Sequence, residues 1–133
     1  SLTGRSVLTD IWQSDDHPES QHVGTARWCE LMVIAPASAD TIARLAHGLT
    51  DNIIALVTAA LPRDTPVLIA PSMNAEMWQN PITQQNVQTL RETLGCTIVG
   101  PDEGWQACRT SGAGRMSEAE AILEAVQAAL ARG

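Results

Sequence analysis

Phenylalanine and tyrosine are absent from this 133-residue sequence, and four tryptophans are its only aromatic residues. A hydrophobic core must therefore be built mainly from leucine, isoleucine, valine, alanine and methionine. Apolar residues still make up 44% of the chain, as in ordinary soluble globular proteins. The length suits one core, so we expect a single domain over residues 1–133.

Basic residues are also scarce, and the net charge is −7. Without a basic patch, the sequence argues against a nucleic-acid backbone as a partner. No apolar run approaches the 18 residues that a membrane-spanning helix needs, and no secretory signal is visible. The three cysteines are an odd number without metal-ligand spacing. We therefore expect a cytoplasmic protein without a membrane segment or a metal site.

Short apolar runs alternate with segments of helical character along the chain. Strands of about five residues between helices are typical of a doubly wound parallel sheet in three layers, a Rossmann-like α/β fold. The continuous apolar run at 31–35 suits a strand covered on both faces. The predicted strands are 31–35, 66–70 and 96–99, and the predicted helices are 22–29, 42–47, 52–61, 81–94 and 117–131.

Several residues are predicted to begin or end these helices or to face the core. Ser38 or Asp40 can cap the helix at 42–47, which Gly48 ends, and Thr50 and Asp51 are expected to cap the next helix. A capping-box-like pattern starts the last helix at Ser117. The glycine-rich segment 102–116 is predicted to be a loop. The residues expected to face inward are Ala26, Trp28, Val87, Leu90, Leu94, Ile122, Leu123, Val126 and Leu130.

Three polar loops follow the predicted strands, and right-handed crossovers place all three at one edge of the sheet. Ligands of open α/β sheets bind at that edge. The loop with Ser38, Asp40 and Thr41 starts a helix and either caps it or binds an anion. In the second loop, the Asn74 amide either braces the turn or binds a carboxylate, beside the adaptable surfaces of Met73 and Met77.

The third loop and one helix carry the candidates for proton transfer. Cys108 lies in a polar, glycine-rich segment that suggests a flexible flap, so it is a better candidate for a reactive thiol than Cys29 or Cys96. His22 is suited to acid–base work near neutrality. His47 ends a helix and is expected to be structural, and His17 is expected to be solvated. No catalytic triad or nicotinamide-type glycine motif is present.

Three motifs in order resemble those of the flavin-dependent cysteine decarboxylases. Residues 36–41 are similar to Pro-Ala-Ser-Ala-Asn-Thr, and residues 71–78 fit Pro-x-Met-Asn-x-x-Met-Trp in full. Residues 107–116 resemble the substrate-clamp segment, and His22 falls where the family's active-site histidine lies. This family includes phosphopantothenoylcysteine decarboxylases of coenzyme A biosynthesis and enzymes that decarboxylate the C-terminal cysteine of lantibiotic precursors.

The resemblance implies an FMN-binding enzyme, assembled as a homotrimer or larger oligomer with FMN at subunit contacts. It implies that FMN oxidises the cysteinyl group of 4'-phosphopantothenoylcysteine to a thioaldehyde. Carbon dioxide then leaves, and reduced FMN with a proton converts the ene-thiol to 4'-phosphopantetheine. His22 would act as base or orienting group and Cys108 as proton donor. The implied substrate-binding residues are Asn74 and Met77, and the implied cofactor-binding residues are Ser38, Ala39, Asp40, Thr41 and Met73.

Three features depart from the family pattern. Asp40 stands where many members have asparagine, and Arg109 replaces the glycine that usually follows the cysteine. The N-terminal βα unit that cradles the FMN phosphate is not visible, so we expect an incomplete domain unless another chain supplies that unit.

A fused or associated CTP-dependent ligase domain is compatible with a bifunctional parent. The alternatives are a peptidyl-cysteine decarboxylase and a non-catalytic flavoprotein-like subunit, although the joint presence of His22, Asn74 and Cys108 argues against the latter.

Overall fold

A computed structural model of the chain shows an α/β fold built on a parallel sheet. It describes residues 18–105 and 111–132, with side chains described for 23–102 and 115–132. In chain order, the elements are α1 (Pro18–Trp28), β1 (Met32–Ala37), α2 (Ala39–His47), α3 (Ile53–Ala60), β2 (Val67–Pro71), α4 (Ala75–Gln79), α5 (Pro81–Glu92), β3 (Thr97–Ile98), β4 (Asp102–Trp105), β5 (Ser111–Arg115) and α6 (Ala119–Arg132).

The main sheet has three parallel strands in the order β1-β2-β3. Its central strand is almost entirely buried from Leu68 to Pro71, because it has a neighbouring strand on each side and helices packed near it. Ile34 pairs with Ile69, which in turn pairs with Ile98. These pairs confirm the predicted Rossmann-like parallel sheet, although the sheet is short.

Strand β1 differs from its prediction in length and in the burial of its two faces. It passes through Pro36, with a cis Ala35–Pro36 bond, and ends at Ala37 after an irregular register. Val33 is 37% exposed, so the prediction of a strand covered on both faces is wrong for the described part of the chain. The reason is its position: β1 pairs only with β2 and forms an edge of the described sheet.

Helix caps follow the predicted chemistry, with one change of residue. Ser38 is the N-cap of α2, and Gly48 ends that helix with a φ of +69°, as predicted. The cap of α3 is Asn52, whose Oδ1 accepts a hydrogen bond from the Ala55 N–H at 2.8 Å. The predicted cap at Thr50 and Asp51 is therefore wrong, because the helix begins later and the amide of Asn52 reaches its free N–H.

The core lies between the sheet and helices α2, α3 and α5. Val87 and Leu90 are fully buried on α5, as predicted, and Ala26 is fully buried on α1. Four predicted inward residues are instead exposed. α6 approaches β2 and buries the small Ala129 rather than a leucine, and Leu94 follows the end of α5 rather than continuing its stripe. The exposed residues are Trp28 (72%), Leu94 (42%), Leu123 (56%) and Leu130 (49%).

The segment predicted as a loop over 102–116 contains an antiparallel hairpin of β4 and β5. Gly104 pairs with Gly112 across the hairpin, and such glycine-rich strands lack the β-branched pattern that predicts a strand from sequence. At its base, the buried Ser117 hydroxyl donates to Asp102 Oδ1 at 3.3 Å. Ser117 thus anchors the hairpin, and α6 begins two residues later.

Candidate active site

The carboxyl edge of the sheet gathers the predicted loops. The Ser72 N–H, just after β2, donates to the Ala37 carbonyl at the end of β1 at 3.0 Å, which ties the first two loops together. The chain leaving β3 turns at Gly100 and forms the β4–β5 hairpin, and β5 packs against α4. The strand ends therefore bring residues 38–41, Asn74 and the hairpin to one side of the molecule, as the crossover argument predicted.

The first loop is ordered by its own capping bonds. Ser38 Oγ accepts from the Thr41 N–H at 3.1 Å and donates to Thr41 Oγ1 at 3.2 Å. This confirms Ser38 as a cap. The backbone N–H groups of Ala39 and Asp40 precede the first intrahelical hydrogen bond, from Ile42 to Ser38. They have no partner in the described part of the chain and point beyond the helix end, as N-terminal amides do.

Asp40 is not a cap but half of an ion pair. Its Oδ2 accepts from Arg44 Nε at 2.9 Å, and Arg44 Nη1 binds Asp51 Oδ1. The hydrogen bonds that Arg44 donates to Asp40 and then to Asp51, more than the Coulombic attraction of the two carboxylates, raise the pKa of Arg44 above its ordinary value. Sequence reasoning missed Arg44, although an aspartate four residues before an arginine on a helix is a recognisable pairing signal.

Asn74 caps the short helix α4 with one end of its amide. Its Oδ1 accepts from the Met77 N–H at 2.8 Å, which confirms that it braces the turn. The Nδ2 group makes no hydrogen bond to any described residue, and the side chain is exposed. Because the oxygen is committed to the cap, the end that remains for a ligand is a donor, and an amide donor suits a carboxylate.

Two methionines give this edge an apolar surface, and they differ in how far they are exposed to solvent. Met73 is half-buried and packs against the core, as does Trp78 on α4. Met77 is 46% exposed beside the Asn74 cap. Trp78 is further held because Gln84 Nε2 donates to its carbonyl at 2.6 Å. Asn74 and Met77 thus lie together at the start of α4, and their shared substrate role stays a prediction.

The catalytic roles predicted for His22 and Cys108 stay predictions. His22 lies within α1, and its side chain is outside the described residues. Cys108 and its neighbour Arg109 lie between β4 and β5, also outside the described residues. His17 and the start of the chain, where the βα unit was expected, likewise precede the described part.

The other thiols and the remaining histidine have structural surroundings. Burial raises the pKa of the Cys96 thiol, which is 8% exposed, and Cys29 Sγ donates to the Leu31 carbonyl at 3.0 Å. His47, the last residue of α2, has its Nε2 3.0 Å from Asn86 Oδ1.

Among the described residues, no group of three histidine, cysteine or acidic side chains is placed to bind a metal. In the same residues, no helix is both long and apolar enough to cross a membrane.

Comparison with known proteins decides the family. The Flavoprotein family model matches residues 1–131. The chain belongs to the Flavoprotein family. The bifunctional coenzyme A biosynthesis protein CoaBC of Haemophilus influenzae is 39% identical over 126 residues, which cover 95% of this chain and 31% of that protein. The chain therefore spans less than a third of that curated relative.

Solved structures of flavoprotein decarboxylases share the fold of this family member. A PPC decarboxylase mutant complexed with pantothenoylaminoethenethiol is 33% identical, with a TM-score of 0.85, and the match covers 92% of this chain and 69% of that one. The FMN-dependent cysteine decarboxylase SpaF is 31% identical, with a TM-score of 0.77, over 98% of this chain and 67% of that one. Both matches cover nearly the whole chain, so they include the residues at the carboxyl edge of the sheet.

Proposed function

We propose that this chain is the decarboxylase part of an FMN-dependent enzyme that converts 4'-phosphopantothenoylcysteine to 4'-phosphopantetheine in coenzyme A biosynthesis. One observation carries the proposal: the Asn74 amide has its oxygen fixed in the α4 cap, so that its N–H donors are left for a carboxylate. Similarity to PPC decarboxylase and to the coenzyme A protein supports the substrate.

The residues at the carboxyl edge fit FMN by their donor chemistry. The N–H groups of Ala39 and Asp40 and the hydroxyl group of Thr41 offer hydrogen bonds to flavin oxygens, and the Ser38 hydroxyl orients Thr41. The half-buried Met73 gives an apolar surface for a flat ring. These five residues would hold the cofactor, as predicted. When bound, FMN supplies the two-electron oxidation of the cysteinyl carbon–sulfur unit that makes loss of carbon dioxide feasible.

The chain's own side chains would position the substrate and move its protons. Asn74 would bind the carboxylate that is lost, with Met77 shaping the pocket beside it. A neutral amide can hold a carboxylate and still release neutral carbon dioxide, whereas a cation would stabilise the ground-state charge more strongly. His22 would orient or deprotonate the cysteinyl group, and Cys108 would return a proton after decarboxylation.

The assembly around this part of the enzyme also belongs to the proposal. We infer a cytoplasmic homotrimer or larger oligomer, in which subunit contacts complete the flavin site. The bifunctional CoaBC relative is more than three times longer than the matched segment, which supports fusion to, or association with, a phosphopantothenate–cysteine ligase domain.

The first experiment is an absorption spectrum of the full-length protein before and after addition of FMN, followed by a decarboxylation assay. We expect a bound-flavin spectrum and release of carbon dioxide from 4'-phosphopantothenoylcysteine. Protein that takes up no FMN contradicts the cofactor assignment. Protein that binds FMN but releases no carbon dioxide from any cysteine substrate is instead a non-catalytic flavoprotein subunit.

A second candidate, oxidative decarboxylation of a peptide's C-terminal cysteine, is favoured by the similarity to SpaF over nearly the whole chain. The two substrates separate the candidates. A coenzyme A enzyme requires the phosphopantothenoyl arm, whereas a peptide enzyme accepts short peptides ending in cysteine. Faster turnover of such peptides than of 4'-phosphopantothenoylcysteine would establish the second candidate.

The role of Cys108 can be tested by Cys108→Ser, with Cys29→Ser as the matched control. A serine hydroxyl is a much weaker acid than a thiol. We therefore expect the Cys108→Ser enzyme to release carbon dioxide and then accumulate the unsaturated thiol product, as followed by mass spectrometry. Normal formation of 4'-phosphopantetheine by this variant would contradict the proton-donor role.

A further inference from the structure

Arg44 connects two carboxylates from different parts of the chain. Its Nε donates to Asp40, in the first turn of α2, and its Nη1 to Asp51, in the turn before α3. The arginine side chain is 29% exposed, whereas the two acidic side chains are 71% and 68% exposed. The more buried cation, fixed at two points, therefore sets the positions of two otherwise free carboxylates.

Asp40 is the member of this network that belongs to the proposed cofactor-binding residues 38–41, which are called the cofactor motif below. Arg44 occupies its Oδ2, and Oδ1 makes no hydrogen bond to any described residue. An exposed aspartate without such a partner samples several rotamers. The Arg44 bond selects one of them, and so fixes the direction in which Oδ1 can accept a hydrogen bond.

The charge of Asp40 makes the same bond important for an anionic cofactor. FMN carries a phosphate, and an unpaired carboxylate beside the bound cofactor would repel that negative charge. Arg44 offsets that charge without itself belonging to the motif.

We propose that Arg44 is a positioning residue for the flavin site: held by Asp51, it orients and neutralises Asp40 so that this carboxylate accepts a hydrogen bond from FMN rather than repelling the cofactor. The proposal rests on the proposed function, since it requires that FMN binds at this edge. It assigns Asp51, which lies outside the motif, an indirect part in cofactor affinity.

An ordinary surface ion pair on a helix would show the same Arg44–Asp40 distance, but removing its arginine would not change FMN affinity through Asp40. Such pairs contribute little to stability and are screened by salt. If Arg44 served only the helix, its removal would alter unfolding slightly and leave FMN affinity unchanged. If it acts through Asp40, its effect on FMN affinity must depend on the presence of Asp40.

A double-mutant cycle on the full-length protein tests this dependence. The variants are Arg44→Gln, Asp40→Asn and the double substitution, with the FMN dissociation constant measured by fluorescence quenching of added flavin. We expect Arg44→Gln to raise Kd about two- to fivefold, the range of a single exposed ion pair. In the Asp40→Asn background, the same substitution should change Kd little, because no carboxylate remains to be oriented.

Two further variants separate positioning from general charge. Asp51→Asn should raise Kd in the same direction as Arg44→Gln but by less, because Arg44 keeps its bond to Asp40. Arg91→Gln removes an arginine in the last turn of α5, which has no ion pair among the described residues, and should leave Kd unchanged. Thermal unfolding of each apoprotein separates loss of affinity from loss of fold.

The outcomes distinguish this proposal from the function on which it rests. Unmutated protein without FMN affinity would overturn both. If the unmutated protein binds FMN, an unchanged Kd in Arg44→Gln overturns only the role of Arg44. An equal increase in Kd with and without Asp40 also overturns it, since Arg44 would then act independently of that carboxylate.

Discussion

The Asn74 amide has one end bonded within the chain and the other without a partner among the described residues. Its oxygen caps α4 by accepting from the Met77 N–H, and its nitrogen is left for a ligand at the site edge. The two interpretations that the sequence left open, a brace for the turn and a carboxylate ligand, are therefore compatible. The cap is what orients the donor, so local structure and proposed chemistry depend on the same side chain.

Asn74→Asp should separate these tasks. Aspartate caps a helix about as well as asparagine, so the fold should be retained, whereas the donor is lost and a negative charge meets the substrate carboxylate. We expect turnover to fall about 100-fold or more, as when a hydrogen-bond donor in an active site is removed, with little change in thermal unfolding. The matched control is Asn52→Asp, which changes the cap of α3 in the same way away from the site. Undiminished decarboxylation by Asn74→Asp would contradict the carboxylate role.

Cys96 gives a pH dependence that can be assigned to one residue. Burial disfavours its thiolate and raises its pKa, so the unfolded chain ionises this thiol at a lower pH than the folded chain. Its contribution to stability is fully present below the unfolded pKa, near 9. It is lost as the pH rises through the higher folded pKa.

The sequence favours a clean measurement of this effect. It contains no tyrosine and no lysine, so neither of these two side-chain types, which also titrate at alkaline pH, contributes to the change. The unfolding free energy should fall as the pH rises above about 9, and part of that fall should be absent from Cys96→Ala. An identical decline in both proteins would show that the Cys96 thiol is not responsible.

At the scale of elements, the base of the β4–β5 hairpin packs closely against Ser117, two residues before α6. Gly100 has a φ of +77°, and a Cβ at this position would lie 2.2 Å from Ser117 Oγ. That hydroxyl is buried and bonded to Asp102. The glycine is therefore needed both for its backbone conformation and for the space it leaves.

Gly100→Ala should cost more than an equivalent change at an open turn. Gly95 has a φ of +69°, but a Cβ added there would have nothing within 4 Å, so Gly95→Ala should cost about 1–2 kcal/mol from the backbone alone. Gly100→Ala adds the displacement of Ser117 and the loss of its hydrogen bond, about 1 kcal/mol more. Urea unfolding of both variants measures the difference. Equal losses of stability would show that Ser117 moves aside freely.

At the scale of the whole molecule, stability is concentrated where α2, α3 and α5 meet the sheet. Leu90 is fully buried there, whereas Leu123 on α6 is 56% exposed. Leu90→Ala should therefore lower the unfolding free energy by about 2–5 kcal/mol, through lost transfer energy and the cavity left behind. Leu123→Ala should change it by less than about 0.5 kcal/mol. If Leu123→Ala costs as much as Leu90→Ala, a partner covers that face of α6.

The three strands of the main sheet, the longer helices around them and the residues of the first two site loops were predictable from the sequence. Continuous apolar runs such as 66–70 indicate a buried strand wherever they occur, and Ser38 and Gly48 act on their own neighbours. Local chemistry therefore sufficed for these features. The motif around Asn74 identified the carboxyl edge before any contact was known.

Only the tertiary structure decided which face of each element is covered and which side chains meet. Trp28 and Leu123 look like core residues by period but are exposed, and α6 approaches the sheet through Ala129. The glycine-rich hairpin forms because its backbone groups pair across strands, which no single-residue preference reveals. Arg44 joins Asp40 to Asp51 across the turn between α2 and α3. Packing and pairing of this kind are non-local, so the sequence predicted the position of the candidate site but not the network that supports it.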